Sequence, residues 1–201
     1  MNCIRLHTLR TALFLSTYAL LIGCASSRQE QVLEVYDVRG TEATARLTVD
    51  GREVFTTTAY IGKNGIGKTG EGDAKTPTGT LRAVGAFGVK PNPGTAMPYT
   101  RVTASTFACD EPGPYYNQIV DTARVHHAGC TGEDMLHTVP EYDYGLSTDF
   151  NAACRYPDGS NIFVHCKGRK TWTGGCIALD EDKMLELLCR CDTTLVIRIR
   201  P

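Results

Sequence analysis

The 201-residue chain lacks any apolar run of the roughly 18–20 residues that a membrane-spanning helix needs. It also lacks an excess of one charge: 21 Lys and Arg stand against 22 Asp and Glu, for a net charge of −1 and a pI near 6.5. A general nucleic-acid binder neutralises phosphates with clustered Lys and Arg, so no nucleic-acid partner is expected. Internal repeats and low-complexity tracts are missing. Apolar residues at 42% and charged residues at 21% are ordinary globular values, which excludes wholesale disorder, collagen and coiled coil. Zinc knuckles are missing as well. Only Cys189 and Cys191 lie close together, with one residue between them where structural sites use about two to four. His165 and Cys166 are adjacent and would point to opposite faces of a strand. No metal is expected.

Cysteine is plentiful, with nine in all, and two of these fall in the N-terminal segment. Arg5 and Arg10 make a basic start, Thr11 to Ile22 is mainly apolar, and Leu21-Ile22-Gly23-Cys24 leads into the polar Ser26-Ser27-Arg28-Gln29-Glu30-Gln31. A basic start, a short apolar run and a small residue before the cut describe an export signal rather than a buried helix. The Leu-x-Gly-Cys ending resembles a bacterial lipobox, which implies acylation of Cys24. An ordinary signal peptide with an incidental Cys24 is the plainer alternative. The expected organisation is a lipoprotein signal peptide at 1–23, a tether at 24–31 with lipid on Cys24, and one domain at 32–201, long enough for a sizeable core. The lipid would anchor the domain to a membrane, facing the cell wall or periplasm. Export favours disulfides among the remaining Cys109, Cys130, Cys154, Cys166, Cys176, Cys189 and Cys191. Their number is odd, so at least one is unpaired. Cys189 and Cys191 are too close to bridge each other; the other pairings stay open.

The pattern along the chain is mainly β. Val32–Val38, Ala43–Val49 and Glu53–Ile61 read as strands, with Asp50-Gly51 as a hairpin turn. A glycine-rich loop spans Gly62 to Gly79. Leu81–Val84 reads as a strand, residues 85–114 as mostly loop, Tyr115–Val120 as a short strand or turn, and 121–141 is ambiguous. Tyr142–Phe150 and Asn161–Cys166 read as strands. Asp180 suits a helix N-cap ahead of Glu181 and Asp182, with Met184, Leu185 and Leu188 as an apolar stripe. Leu195, Ile197 and Ile199 alternate as in a closing strand.

The chemistry concentrates between Ile162 and Leu179. A strand delivers His165, a loop follows, and Thr173-Gly174-Gly175-Cys176 completes the segment. A cysteine nucleophile needs a base for its proton and donors for the oxyanion of a tetrahedral intermediate. Gly174 and Gly175 leave the backbone bare beside Cys176, and His165 can return to Cys176 across the loop. A packed histidine and a disulfide-bonded Cys176 would be the structural alternative.

This segment resembles the catalytic motif of the L,D-transpeptidase (YkuD-like) domain, a strand-borne His followed by [Ser/Thr]-His-Gly-Cys. Ile61 to Gly79, ending Thr76-Pro77-Thr78-Gly79, resembles that domain's glycine-rich segment. Tyr115-Tyr116-Asn117 is similar to the branch whose motif reads His-Cys…Thr-x-Gly-Cys. The resemblance covers about residues 32–200. It implies a mainly-β, sandwich-like domain with one late α-helix and no metal or organic cofactor. It implies Cys176 as nucleophile, His165 as base, and the Gly175 and Cys176 N–H groups as oxyanion hole. The reaction implied is acyl transfer from a peptidoglycan stem tetrapeptide, with loss of D-Ala, to an amine of a neighbouring stem. Water as acceptor would make the same site an L,D-carboxypeptidase. A non-catalytic wall-binding lipoprotein is a third reading. A monomer is expected. Lys68, Trp172, Thr173 and Gly174 are candidate substrate contacts; Lys75, Lys167, Arg169 and Lys170 are further cations that either meet stem carboxylates or lie on the surface. The family pattern has His where this chain has Gly174, and often a polar residue where it has Ala178. Cys166 is expected in a structural disulfide facing away from Cys176. His126, His127 and Glu133 are expected to be loop residues without catalytic role.

Overall fold

The computed structural model describes residues 29–125, 130 and 132–201. The signal segment, Cys24 and the His126-His127 pair lie outside the described residues. Strands β1 (Gln31–Arg39), β2 (Glu42–Val49) and β3 (Arg52–Tyr60) form an antiparallel meander. Ala43, Ala45 and Leu47 are buried while their neighbours face outward, as the two-residue period of a strand requires. Asp50 and Gly51 both take positive φ, 51° and 71°, the geometry that suits a tight Asp-Gly hairpin.

Strand β4 (Gly79–Gly88) holds the larger sheet together. Residues 79–82 pair with β12 (Val196–Ile199), and residues beyond them with β9 (Gly145–Thr148) and β5 (Tyr99–Arg101). The order is β12-β1-β2-β3-β11-β10-β9-β4-β5, where β10 is Phe163–Cys166 and β11 is Ile177–Leu179. Because β4 also pairs with β12, the sheet closes on itself as a sandwich-like layer pair around one core. Leu33, Leu47, Ile61, Leu146, Ile177 and Ile197 meet there, with Met184, Leu187 and Leu188 of α1 (Glu181–Arg190). The mainly-β expectation with one late helix is met.

A second sheet is formed by β7 (Gln118–Asp121), where Tyr115–Val120 was expected as a short strand or turn, with β6 (Thr106–Cys109) and β8 (Glu133–Asp134), which lie in segments expected to be mostly loop or ambiguous. Each strand is too short to show a period, and its pairing is tertiary. The Cys109–Cys130 disulfide closes this region. Phe87, Val102, Ala108, Met135, Tyr142 and Phe163 form a satellite core here, and Cys176 packs against it.

One expectation needs correction. Cys166 is not in a disulfide: its buried thiol donates to the Tyr144 carbonyl at 3.5 Å within the main core, where a thiol behaves as a small hydrophobe. Asp180 is the helix N-cap, as expected, with Glu181 and Asp182 in the first turn; its carboxylate makes no capping hydrogen bond and pairs with Lys167 at 2.9 Å. The buried helix stripe is Met184, Leu187 and Leu188, with Leu185 only partly buried.

Leu33 lies opposite Leu47 on one side and Ile197 on the other, and all three are fully buried. Leu33→Ala is therefore expected to cost about 3 kcal/mol, read as a lowered urea midpoint with unchanged slope.

Candidate active site

Strands β10 and β11 run parallel, with His165 opposite Ala178. The loop between them brings the residue before β11, Cys176, back beside β10. His165 and Cys176 line one cleft of about 330 Å³, together with Trp172, Thr173, Gly174 and Gly175.

The imidazole is held by its own backbone. His165 Nδ1 lies 2.7 Å from the Cys166 carbonyl. A carbonyl can only accept, so Nδ1 carries the proton and Nε2 keeps its lone pair for the cleft. The Tyr142 ring stands edge-on to the imidazole at 5.6 Å. Burial lowers the His165 pKa from its ordinary value.

The thiol is held too. Cys176 Sγ donates to the Asn161 carbonyl at 3.1 Å and accepts the Phe163 N–H at 3.3 Å. Burial pushes its pKa up to about 12; the Phe163 N–H and Lys68 oppose this and Glu133 adds to it. At neutral pH the resting pair is therefore a neutral thiol and a neutral imidazole. Asn161 is itself placed by the chain's Tyr-Asn pair. Asn117 Oδ1 accepts the Asn161 N–H at 2.9 Å, and Asn117 Nδ2 bridges the Phe150 and Asn151 carbonyls. Tyr116 OH donates to Glu71 and accepts the Gly159 N–H at 3.0 Å.

The glycine-rich loop reaches the site through Thr76. Its hydroxyl accepts the Gly62 N–H at 2.8 Å and donates to the Cys176 carbonyl at 3.3 Å. Thr173 Oγ1 donates to that same carbonyl at 2.7 Å and accepts the Gly175 N–H at 3.1 Å. The Gly175 N–H, expected to face a substrate, is thus engaged by Thr173, and Thr173 positions the Cys176 loop.

Lys68 is not a substrate contact in this arrangement. Its side chain is 2% exposed and its ammonium pairs with Asp73 at 2.8 Å. Asp73 also accepts the N–H groups of Thr69, Gly70 and Lys75. Burial works against ionisation of Asp73, but Lys68 and these donors hold its carboxyl well below the usual range. Of the other candidate cations only Lys170 lines the cleft. It sits over the Trp172 ring at 4.6 Å, with Lys63 at 5.2 Å. Lys167 pairs with Asp180 and lies over Tyr60.

The cleft is acidic instead, lined by Glu71, Asp110, Glu133 and Glu141. Glu133, expected in a loop without a catalytic role, stands in β8 at the cleft wall, where its carboxylate accepts Tyr142 OH at 2.6 Å. Burial raises its pKa, with Asp110 and Glu141 adding to the effect. Sequence spacing offered no signal for Glu133, Glu141 or Tyr142, which join the site through tertiary packing. Among the described residues no group of three or more His, Cys, Asp and Glu is placed to hold a metal ion.

The family model of the L,D-transpeptidase catalytic domain, YkuD, matches residues 34–199. The chain belongs to this family. A comparison with curated proteins gives no match. Among solved structures, the chain is similar to the helical cell shape determining protein Pgp2 (K307A mutant) from Campylobacter jejuni, at 16% identity and a TM-score of 0.46. That likeness covers 87% of this chain and 48% of the other, so the chain spans about half the length of that relative.

Against the family motif, the two departures sit on either side of Cys176. A Cβ at Gly174 would meet nothing within 4 Å, and its backbone is not left-handed. Gly175 has φ +145°, and a Cβ there would stand 2.8 Å from the Lys75 carbonyl. Gly175→Ala is therefore expected to cost about 2–3 kcal/mol in urea unfolding, whereas Gly174→Ala is expected to stay within about 0.5 kcal/mol.

Proposed function

We propose that the protein is a peptidoglycan L,D-transpeptidase that works through a Cys176 thioester with His165 as base. The observation that carries this reading is a tautomerically fixed His165, with Nε2 free, in one cleft with the cysteine that follows Gly174-Gly175 in a YkuD domain. Sγ leaves the Asn161 carbonyl and its proton passes to His165 Nε2 as sulfur attacks the carbonyl carbon of the L-centre–D-Ala bond. The Cys176 N–H would meet the oxyanion, joined by the Gly175 N–H if Thr173 releases it. The C–N bond breaks, and the imidazolium returns the proton to the departing D-Ala amine. A stem amine then attacks the thioester, gives its proton to Nε2 and expels the sulfur. The acidic wall favours an ammonium-bearing stem in the cleft over one presented by its carboxylates. Cys24 lipidation after removal of residues 1–23 would hold the domain on the outer side of a membrane, facing peptidoglycan.

The raised thiol and the lowered imidazole mean that no thiolate–imidazolium pair pre-exists at rest. Alkylation of Cys176 by iodoacetamide, followed by mass spectrometry, is expected to rise about tenfold per pH unit from pH 7 to 10. A pH-independent plateau across that range would mean a preformed ion pair.

The functional test is incubation of the purified protein with a stem tetrapeptide, with and without an amine acceptor, beside Cys176→Ala. Release of D-Ala with a crosslinked product, abolished in the variant, is the expected result. D-Ala release with tripeptide alone would assign the hydrolase. A carbapenem, which acylates members of this family at the catalytic cysteine, is expected to add one adduct to the wild type and none to the variant. No adduct and no turnover on the folded protein would leave a wall-binding role.

A further inference from the structure

Glu141 is a carboxylate in the same cleft as the base, and among the described residues its side chain makes no ion pair. Its backbone is fixed next to His165: the Glu141 carbonyl accepts the Cys166 N–H at 3.0 Å, and Tyr142, the next residue, packs its ring on the imidazole. Its side chain fills the room left by a missing Cβ. A Cβ built on Gly168, just after β10, would lie 1.8 Å from Glu141 Oε1 and 2.2 Å from its carboxyl carbon. Gly168 has no positive φ, so the backbone does not require glycine there, and the atoms nearest that Cβ all belong to the Glu141 side chain. The Glu133 carboxylate is bonded to Tyr142, and Glu71 to Tyr116. Among the described residues the Glu141 carboxylate has neither an ion pair nor a side-chain hydrogen bond, although Lys170 lines the same cleft.

We propose that Glu141 is a positioning residue that acts through His165, its carboxylate supplying the counter-charge to the imidazolium formed when Nε2 takes the Cys176 proton, and that Gly168 is glycine to admit it. The proposal rests on the acyl-transfer reading for its purpose, but the acid–base coupling is readable without turnover. The titratable groups around the imidazole are Cys176, Tyr142, Glu133, Asp110, Glu71 and Lys170. Glu141 is the carboxylate whose charge raises the His165 pKa against the burial that lowers it. A nearby opposite charge favours the charged form of a group.

The test is an NMR titration of the His165 ring in the purified protein, assigned against His165→Gln, for wild type, Glu141→Gln and Gly168→Ala. Glu141→Gln keeps the shape beside Gly168 and removes the charge. Its His165 midpoint is expected to fall by about 1 pH unit, and Gly168→Ala, which evicts the carboxylate, to shift it in the same direction. Where stem-peptide turnover is measurable, the acidic limb of kcat against pH moves down with it, and kcat falls about tenfold while KM is kept. An unchanged His165 midpoint in a folded Glu141→Gln overturns the proposal whatever the turnover. A lowered midpoint in a protein that turns over no stem peptide would sustain the coupling and sink the transpeptidase reading instead.

Discussion

Two threonine hydroxyls, from Thr76 and Thr173, converge on the single carbonyl of Cys176, and the geometry of the cleft depends on that convergence. Each hydroxyl has one proton to give, and a carbonyl has two lone pairs, so the set is complete. Thr76 also accepts the Gly62 N–H and Thr173 the Gly175 N–H. Breaking any member strands a buried polar group, at about 1–3 kcal/mol. The glycine-rich loop and the cysteine loop, 100 residues apart at Thr76 and Cys176, are thereby fixed to each other. This is the physical content of a Thr-Pro-x-Gly motif that never touches the thiol. Gly175 follows from it, since the two loops approach so closely that the Lys75 carbonyl occupies the space of a Cβ.

The charges around the pair treat its two halves differently. Glu133 makes a thiolate at Cys176 more costly, whereas Glu141 makes an imidazolium at His165 less costly. A resting ion pair is therefore disfavoured at sulfur even though the nitrogen is prepared for its proton. The proton would then move as the S–C bond forms, when the negative charge passes from sulfur to the oxyanion. A neutral thiol parked between Asn161 and Phe163 also resists oxidation, because the thiolate is the reactive form. For a chain proposed to be exported, that protects an unpaired cysteine.

Much of the main sheet was legible in the sequence: β1 to β4 are eight to ten residues long and can show a period, and the shorter β9, β10 and β12 lie in β-type apolar runs. The Asp50-Gly51 hairpin and the Leu195–Ile199 alternation appear as read. Strand β7 was legible as a short strand or turn, whereas β5, β6 and β8 were not, since two to four residues cannot display alternation and their Gly- and Pro-rich surroundings signal loop. The positions of His165 and Cys176 in one cleft were legible because both lie in one short segment. The acidic wall was not, because Glu71, Asp110, Glu133 and Glu141 come from four separate stretches. Lys68 misled for the converse reason: a lysine in a glycine-rich loop reads as a solvent-facing cation, but the Asp73 carboxylate, itself held by three backbone N–H groups, draws its ammonium inside.

Both departures from the family motif remove atoms from the same side of the cleft. Gly174 offers open space where the pattern has a histidine, and Ala178 lies opposite His165 in the ladder without a polar group to offer it. Between Gly168 and Gly175 the cysteine loop lines the cleft with backbone and the side chains of Lys170, Trp172 and Thr173, whose hydroxyl is already engaged by the Cys176 carbonyl and the Gly175 N–H. Polar contact with a substrate must come from the facing wall, built by β8, the turn before β9 and the Tyr116–Glu71 brace. That wall is carboxylate-rich, so the same loss of side chains that opens the cleft also changes the sign of the charge it presents. The small sheet closed by Cys109–Cys130 carries Glu133 to that wall, so it is part of the cleft rather than an appendage to the fold.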